Sequence, residues 1–331
     1  MTKYEKAVYH TETGLELFNN GNFEKALEEY NKALEYDPNY TLALNNKGNV
    51  LETLGRNEEA LMAFNMAIQN NPQFYIALYN RGNLLSHMGE YKLAIDSFNQ
   101  ALEINEDFAG AWINKGLAHY NLRDFVEALS AFKKGIELDP ENAVAWSNLG
   151  GAHEKMGDYE MAIQAYDKAI EIDPECMYAF YNKALVLESL NRIDDAIQAL
   201  EDAQFLAPFD PDIHEQQSRL FCEIGNFNEA LRTIDNALKL GKNDDAECWN
   251  LKASILFEQK NYSEAIKAFK QVLEIEDEDE GDWMNLIQAN VYDQNIPMAL
   301  EFCDKALEKY PQFNKIKHER ELLRVKIENT K

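Results

Sequence analysis

The 331-residue sequence is poor in cysteine and has no long apolar run. Its four cysteines, Cys176, Cys222, Cys248 and Cys303, form no C-x-x-C pair and follow no regular spacing. We therefore expect reduced, buried thiols in a cytoplasmic protein. The first residues, Met1 to Lys6, lack the apolar core of a signal peptide, and no segment approaches the roughly 18 apolar residues of a membrane helix. Neither export nor membrane insertion is expected.

Positive charge is also scarce. The chain has 32 lysine and arginine residues against 58 aspartate and glutamate residues, which gives a formal net charge of −26 and a pI near 4.6. This charge repels nucleic acid and anionic lipid at long range. The composition therefore disfavours nucleic acid and membranes as partners. It favours a protein or peptide ligand with some positive charge, whose binding weakens as salt rises.

Motifs of catalysis and cofactor binding are missing. The sequence contains no phosphate-binding loop, no dinucleotide fingerprint, no H-E-x-x-H and no G-x-S-x-G. His119 and His153 recur 34 residues apart, but no cysteine or third histidine shares their register, so core packing is favoured over metal binding. The acidic run from Glu276 to Asp282 lacks the spacing of a calcium loop and is interpreted as a solvated loop. We predict no enzyme activity, no cofactor and no metal.

The strongest feature of the sequence is self-similarity with a period of 34 residues. Glycine recurs at this spacing at Gly14, Gly48, Gly82, Gly116 and Gly150. Alanine continues the period, with one inserted residue, at Ala26, Ala60, Ala94, Ala128, Ala162, Ala196, Ala230, Ala265 and Ala299. A fixed period of this size means that one small supersecondary unit is stacked many times.

Nine units fit this period, and places within a unit are numbered from its first residue. The units are residues 7–40, 41–74, 75–108, 109–142, 143–176, 177–210, 211–245, 246–279 and 280–313. In the fifth, Trp146, Leu149, Gly150 and His153 share one helical face, and a second helical pattern follows the turn at Gly157. Each unit is therefore predicted to be two helices.

The two ends fall outside the units. Residues 1–6 are predicted to be an N-terminal segment, and residues 314–331 a capping helix. The helix places Ile316, Leu323 and Ile327 on one face, which suits an element that covers the apolar face of the last repeat.

The fourth unit resembles the tetratricopeptide repeat (TPR) family, whose pattern is W-x2-L-G-x2-Y, then A-x3-F, then P. The residues that carry the resemblance, with Lys for Leu and His for Tyr, are Trp112, Lys115, Gly116, His119, Ala128, Phe132 and Pro140. The resemblance covers residues 7–313. It implies an all-α fold, an α-solenoid in which helix-turn-helix repeats form a right-handed superhelix closed by the C-terminal capping helix.

An asparagine recurs at place 6 of the unit, at Asn46, Asn80, Asn114, Asn148 and Asn182. In TPR proteins this place lies on the first helix, which lines the concave groove. A row of carboxamides can hydrogen-bond an extended peptide backbone, and the row resembles the asparagine ladder of the O-linked N-acetylglucosamine transferase. Alternatively, asparagine ties neighbouring helices together, and both interpretations remain open. The other predicted peptide-binding residues are Asn45, Asn49, Tyr79, Asn83, Tyr120 and Tyr181.

We therefore predict a non-catalytic scaffold that binds an extended peptide or protein segment in the groove of a TPR superhelix. Two alternatives stay open. One is a self-assembling TPR scaffold, and the other is a targeting or regulatory subunit of a larger enzyme complex. Partner identity is not readable from the sequence, because TPR arrays serve many pathways with one framework.

Overall fold

The computed structural model describes residues 1–328, and its regular structure is helical throughout this range. Helix pairs follow the 34-residue period. They are α1 (Lys3–Asn19) and α2 (Phe23–Tyr36), α3 (Thr41–Thr53) and α4 (Asn57–Asn70), α5 (Tyr75–His87) and α6 (Tyr91–Ile104), α7 (Ala109–Asn121) and α8 (Phe125–Leu138), α9 (Ala143–Met156) and α10 (Tyr159–Ile172), α11 (Met177–Ser189) and α12 (Ile193–Leu206), α13 (Pro211–Glu223) and α14 (Phe227–Ala237), α15 (Ala246–Glu258) and α16 (Tyr262–Ile275), and α17 (Glu280–Tyr292) and α18 (Ile296–Lys309). A last helix, α19, spans Asn314–Glu328. The all-α fold predicted from the sequence is confirmed.

The chain divides into two compact units. The first unit, Met1–Pro174, contains α1 to α10. The second begins at Glu175 and contains α11 to α19, with a short π-helical segment, Leu238–Lys242, directly after α14. The inserted residue of the sequence repeat falls in this seventh helix pair, where the π-helical turn extends the second helix.

Glycine at place 8 lets the two helices of a pair approach closely. In the first unit each such glycine faces an aromatic ring at place 24 of the second helix: Tyr30, Phe64, Phe98, Phe132 and Tyr166. A Cβ atom at Gly116 would lie 2.7 Å from Cδ1 of Phe132, closer than carbon atoms can approach. These five rings are almost fully buried. The glycine therefore makes room for the largest side chain of each repeat core.

The later repeats fill the same space with other pairs. Place 8 becomes Ala184, Ser218, Ala253 and Ile287, and the facing residues at place 24 are Leu200, Ile234, Phe269 and Cys303. All eight are buried. In the ninth pair the exchange is complete, because the bulky residue is on the first helix and the small one on the second. Core volume is conserved while its distribution changes, the kind of swap that cores tolerate best.

The turn inside each pair requires a left-handed residue at place 15. Five of the nine turns have glycine there, whereas Arg123, Asn191, Lys260 and Gln294 adopt φ values between 57° and 62°. The following amide nitrogen closes the turn, as where Asn261 donates to the carbonyl of Leu256 at 2.9 Å. The left-handed conformation is unfavourable for a residue with a Cβ atom, so the non-glycine turns carry local strain.

The first and last helices that the structure describes belong to the stack, and residues 329–331 of the predicted capping helix lie outside the described residues. The predicted N-terminal segment is part of the first helix, because α1 begins at Lys3 and Thr2 forms a capping box with Glu5. The predicted capping role of α19 is supported by Ile316 and Leu323, which are buried in one cluster with Phe313 and residues of α17 and α18.

Substituting Gly116 with alanine should destabilise the protein by roughly 1–3 kcal/mol, because the new Cβ atom overlaps the Phe132 ring. Adding Phe132→Leu recreates the pair Ala184 and Leu200, so the double variant should lose about 1 kcal/mol less than the sum of the single losses. Denaturant unfolding measures these differences. Gly151→Ala is the control, because its Cβ atom has no neighbour nearer than 3.7 Å.

Replacing Lys260 with glycine should raise the free energy of unfolding by roughly 0.5–1 kcal/mol, because it removes the left-handed strain at φ 60°. Gly157→Ala, at φ 80°, should lower it by a similar amount. Thermal unfolding of both variants tests the sign. Equal melting temperatures for Lys260→Gly and the wild type would contradict the strain.

Candidate functional site

In the first unit, successive first helices pack against one another, α1 on α3, α3 on α5, α5 on α7 and α7 on α9. Places 2, 6, 9 and 13 of a first helix are three or four residues apart, so they lie along one helix face, with places 5 and 12 beside them. We call this surface on α3, α5, α7 and α9 the first-helix face. In α3 its residues are Leu42, Asn45, Asn46, Asn49, Glu52 and Thr53, and the other helices contribute the residues 34, 68 and 102 positions further on.

The first two asparagines of the row are joined to their neighbours. Asn80 donates from Nδ2 to Oδ1 of Asn45 at 2.9 Å, and Asn45 donates to Oδ1 of Asn46 at 3.3 Å. Asn46 hydrogen-bonds the Tyr30 hydroxyl, while burial raises the pKa of Tyr30 to about 12. Asn45 is only 3% exposed. These amides thus connect α2, α3 and α5, and Asn45 supports the face from beneath.

The third asparagine is also engaged. Nδ2 of Asn114 donates to the Tyr79 hydroxyl at 3.0 Å and to Oδ1 of Asn83 at 2.8 Å. The Tyr79 ring packs edge-on against Phe108, with centroids 4.8 Å apart. Three predicted peptide-binding residues are therefore brought together. Their contacts hold α7 against α5 and use the donor group of Asn114.

Asn148 differs from these three. In repeat four the places that would meet its amide, 5 and 9, are Ile113 and Leu117, which have no polar side-chain atoms. Asn148 is half-buried and makes no side-chain hydrogen bond to any part of the chain that the structure describes. Its carboxamide therefore has two donors and an acceptor that no group of the described chain engages.

An apolar border runs beside the asparagines, and its members at place 2 were not predicted from the sequence. At place 2, Leu42, Ile76 and Val144 are 42%, 38% and 62% exposed, and Leu117 at place 9 is 40% exposed. Place 2 lies on the same helix face as place 6, four residues away. The signal in the sequence was the recurrence of aliphatic residues at place 2 of several repeats. It was missed because apolar residues in a helix pattern are first assigned to the core.

Tyr120 lies at the edge of the face in a surface pocket of about 450 Å³, lined also by Asn121, Arg123, Phe125 and Lys155. Its ring packs edge-on against Phe125, with centroids 5.5 Å apart. Burial raises the pKa of the Tyr120 hydroxyl. Tyr120 thus borders an open surface pocket at the edge of the first-helix face.

Asn182 and Tyr181 belong to the second unit, on α11. Both are half-buried, and burial raises the pKa of Tyr181, with further contributions from Asp212 and Glu215. The predicted row of five asparagines is thus divided, with four members in the first unit and one in the second.

Models of the tetratricopeptide repeat match residues 11–73, 75–108, 109–142, 143–176, 178–210 and 246–279. Together these segments make up more than half of the chain. The chain belongs to the tetratricopeptide repeat family. Membership in this family supports a general role as a protein-interaction scaffold, as TPR proteins typically are.

Three similar proteins place this TPR chain among known ones. An uncharacterized protein of Methanocaldococcus jannaschii is 48% identical over 52 residues, which are 16% of this chain and 60% of that protein. The chain thus spans about 60% of that curated relative's length. PilF of Pseudomonas aeruginosa has 20% identity and a TM-score of 0.58, with 66% of this chain and 99% of PilF covered. A tetratricopeptide repeat protein from Parabacteroides merdae has 18% identity and a TM-score of 0.57, with 76% and 99% covered. The two structural likenesses concern the fold alone.

The histidines and the acidic run serve the repeat framework. His153 is buried, with Nδ1 3.4 Å from Asp158, and His119 makes the equivalent contact to Asp124 at 3.2 Å. In the acidic run Asp279 caps α17 by accepting a hydrogen bond from the Gly281 amide at 2.6 Å. These residues therefore lie in packing and capping positions.

One group of potential metal ligands already has a cation. Glu215, Asp245 and Cys248 place their ligand atoms within 4.8 Å of one another. The ammonium of Lys242 lies 3.2 Å from Glu215 and 3.6 Å from Asp245, and burial raises the pKa of the Cys248 thiol to about 12. The lysine among the carboxylates makes this group an ion-pair cluster in the structure.

Within residues 1–328 no helix has the length and apolar character needed to cross a bilayer.

Alanine substitutions of the asparagines in the row should differ in their effect on the free energy of unfolding. Asn114→Ala removes two hydrogen bonds and should lower the free energy of unfolding by about 1 kcal/mol, and Asn80→Ala should act in the same direction. Asn148→Ala should change it by less than about 0.5 kcal/mol, because no bond within the chain is lost. Chemical denaturation of the three variants tests this order. Equal losses for Asn114→Ala and Asn148→Ala would contradict it.

Proposed function

We propose that this TPR protein binds an extended peptide or protein segment along the first-helix face and catalyses no reaction itself. The observation that carries the proposal is the free carboxamide of Asn148 beside exposed apolar side chains. Such a surface offers backbone hydrogen bonding and side-chain burial together, which is how extended segments are held on protein surfaces.

Asn148 would bind the ligand backbone. A carboxamide can accept a hydrogen bond from a peptide N–H and donate to a peptide carbonyl at the same time. Asn80 and Asn114 have their Nδ2 groups engaged within the protein, so they would offer the ligand their oxygen atoms. The row thus acts as both structural tie and ligand surface, with the balance shifting toward the ligand at Asn148. Asn46, Asn49 and Asn83 complete the polar part of the face, and Asn182 and Tyr181 are proposed as separate contacts of the second unit.

Leu42, Ile76 and Val144 would bury apolar side chains of the ligand. They stand at one place in three repeats, so a segment running along the face meets them in turn. Tyr120 in its pocket offers a larger apolar surface with a polar tip, a combination common at binding hot spots. Together these residues would determine which ligand side chains the protein prefers to bind.

The acidic composition favours a ligand with some positive charge, because the net charge of −26 attracts cations at long range. His87 already hydrogen-bonds Glu52 at 2.8 Å, and Lys155 forms an ion pair with Glu154 at 2.7 Å. The face therefore carries little net charge of its own. Charge would steer the encounter, and the amides and apolar groups would hold the complex.

The four cysteines are all free thiols, and two of them, Cys248 and Cys303, are buried. Burial raises the pKa of both thiols to about 12, which keeps them protonated and unreactive. This state fits a reducing compartment, and we propose a cytoplasmic location on that ground.

A peptide selected from a displayed random library against the intact protein provides the test. Its Kd should rise about five- to ten-fold for Asn148→Ala, the loss expected for one or two hydrogen bonds. Val144→Ser should weaken binding as well, because an apolar contact is lost. Isothermal titration measures both.

Asn31→Ala is the matched control, since Asn31 is an exposed asparagine on the second helix α2. Its Kd should equal that of the wild type. Unchanged affinity of the folded Asn148→Ala and Val144→Ser variants would place the ligand elsewhere and overturn the proposal.

A further inference from the structure

Repeat six carries two phenylalanines where the repeat pattern has polar residues. Place 29 is Glu35, Gln69, Glu103, Glu137 and Glu171 in the five preceding repeats, and Phe205 in the sixth. Place 33 is Asn39, Gln73, Asp107, Glu141 and Glu175 in those repeats, and Phe209 in the sixth. The five preceding repeats fold with polar residues at both places. The packing of the repeat therefore does not require phenylalanine at either place.

Both rings face solvent. Phe205 at the end of α12 is 87% exposed, and Phe209 in the following loop is 78% exposed. Two phenyl rings left in water are unfavourable compared with the same rings buried against a partner. Two exposed aromatic residues only four positions apart in the chain, where the sister repeats are polar, indicate an interaction surface. We call Phe205 and Phe209 with Glu201 and Asp202 the repeat-six patch.

The surroundings of the rings are acidic. Glu201 and Asp202 lie four and three residues before Phe205, so they share its side of α12. The whole helix has four acidic residues and no basic one. The repeat-six patch therefore fits an apolar partner surface that is flanked by cations.

The same chain contains such a surface on α19. Leu322 and Val325 are 51% and 55% exposed and stand three residues apart, outside the face that buries Ile316 and Leu323. Lys326 is one turn after Leu322, and Lys315 lies two turns before it on the same side. In a chain with a large excess of acidic residues, α19 has five lysine and arginine residues against three glutamates.

From these matching features we infer that α19 of one molecule docks on the repeat-six patch of a second molecule. Leu322 and Val325 would pack against the phenyl rings of Phe205 and Phe209. Lys315 and Lys326 would lie near Glu201 and Asp202. The contact joins two different surfaces. A closed dimer therefore forms when α19 of each molecule docks on the repeat-six patch of the other, which gives two such contacts.

Sedimentation velocity of the full chain, at concentrations up to about 100 µM, tests the contact. The wild type should associate. Phe205→Glu with Phe209→Glu, which restores the polar character of the sister repeats, should raise the association Kd at least about ten-fold, and Leu322→Glu with Val325→Glu should do the same. The control variant, Leu93→Glu, replaces a leucine of similar exposure on α6 and should associate like the wild type.

Mixing the two double variants distinguishes this contact from other forms of association. The first retains an intact α19 and the second an intact patch, so the mixture should form a heterodimer through the one remaining contact, with a higher Kd than the wild-type pair, while each variant alone stays monomeric. A monomeric wild type, a mixture that stays monomeric, or association lost only with the phenylalanines would overturn the inference. Circular dichroism melts of all variants, expected to match the wild type, show that the fold is retained.

Discussion

The close approach of the two helices in each repeat is the constraint on which the rest of the structure depends. It requires a small residue opposite a large one, as Gly116 stands opposite Phe132. Because this contact recurs in every pair, the two helices of each pair pack alike, and within the first unit a given place of the first helix recurs on one face. In the ninth pair Ile287 and Cys303 reverse the sizes and keep the contact. The arrangement therefore depends on the combined volume of the pair, not on glycine itself.

The fixed orientation of the first helices in the first unit also brings side chains of successive repeats together on the first-helix face. Asn80 and Asn114 each donate a hydrogen bond from Nδ2 to a side chain of the preceding repeat, and these bonds hold the first helices together. At Asn148 the facing places of the preceding repeat are Ile113 and Leu117, so the carboxamide has no partner within the part of the chain that the structure describes. A change at Ile113 and Leu117, one repeat away, thus alters the chemical role of an asparagine that is itself unchanged.

Residues that differ from those at the same place in the other repeats are informative about both stability and binding. Left-handed Arg123 and Lys260 cost stability where glycine would serve, and exposed Phe205 and Phe209 stand where polar residues would serve. In a globular domain without internal copies such residues would be hard to judge. Here the sister repeats show what packing alone requires, so a departure without a packing reason points to a partner or to tolerated strain.

The sequence by itself determined the helical class, the period, the two helices of each unit and the apolar side of the cap helix, because these follow from local patterns that repeat many times. It also placed Asn46, Asn80, Asn114 and Asn148 on one side of their helices. Only the tertiary structure decided which of these amides are already bonded, since partners such as Tyr79 and Asn83 come from a neighbouring repeat more than 30 residues away. It likewise decided that Val144 is exposed while aliphatic neighbours in the same helix are buried. Period and propensity are local properties, whereas hydrogen-bond partners and burial are set by what packs against each face.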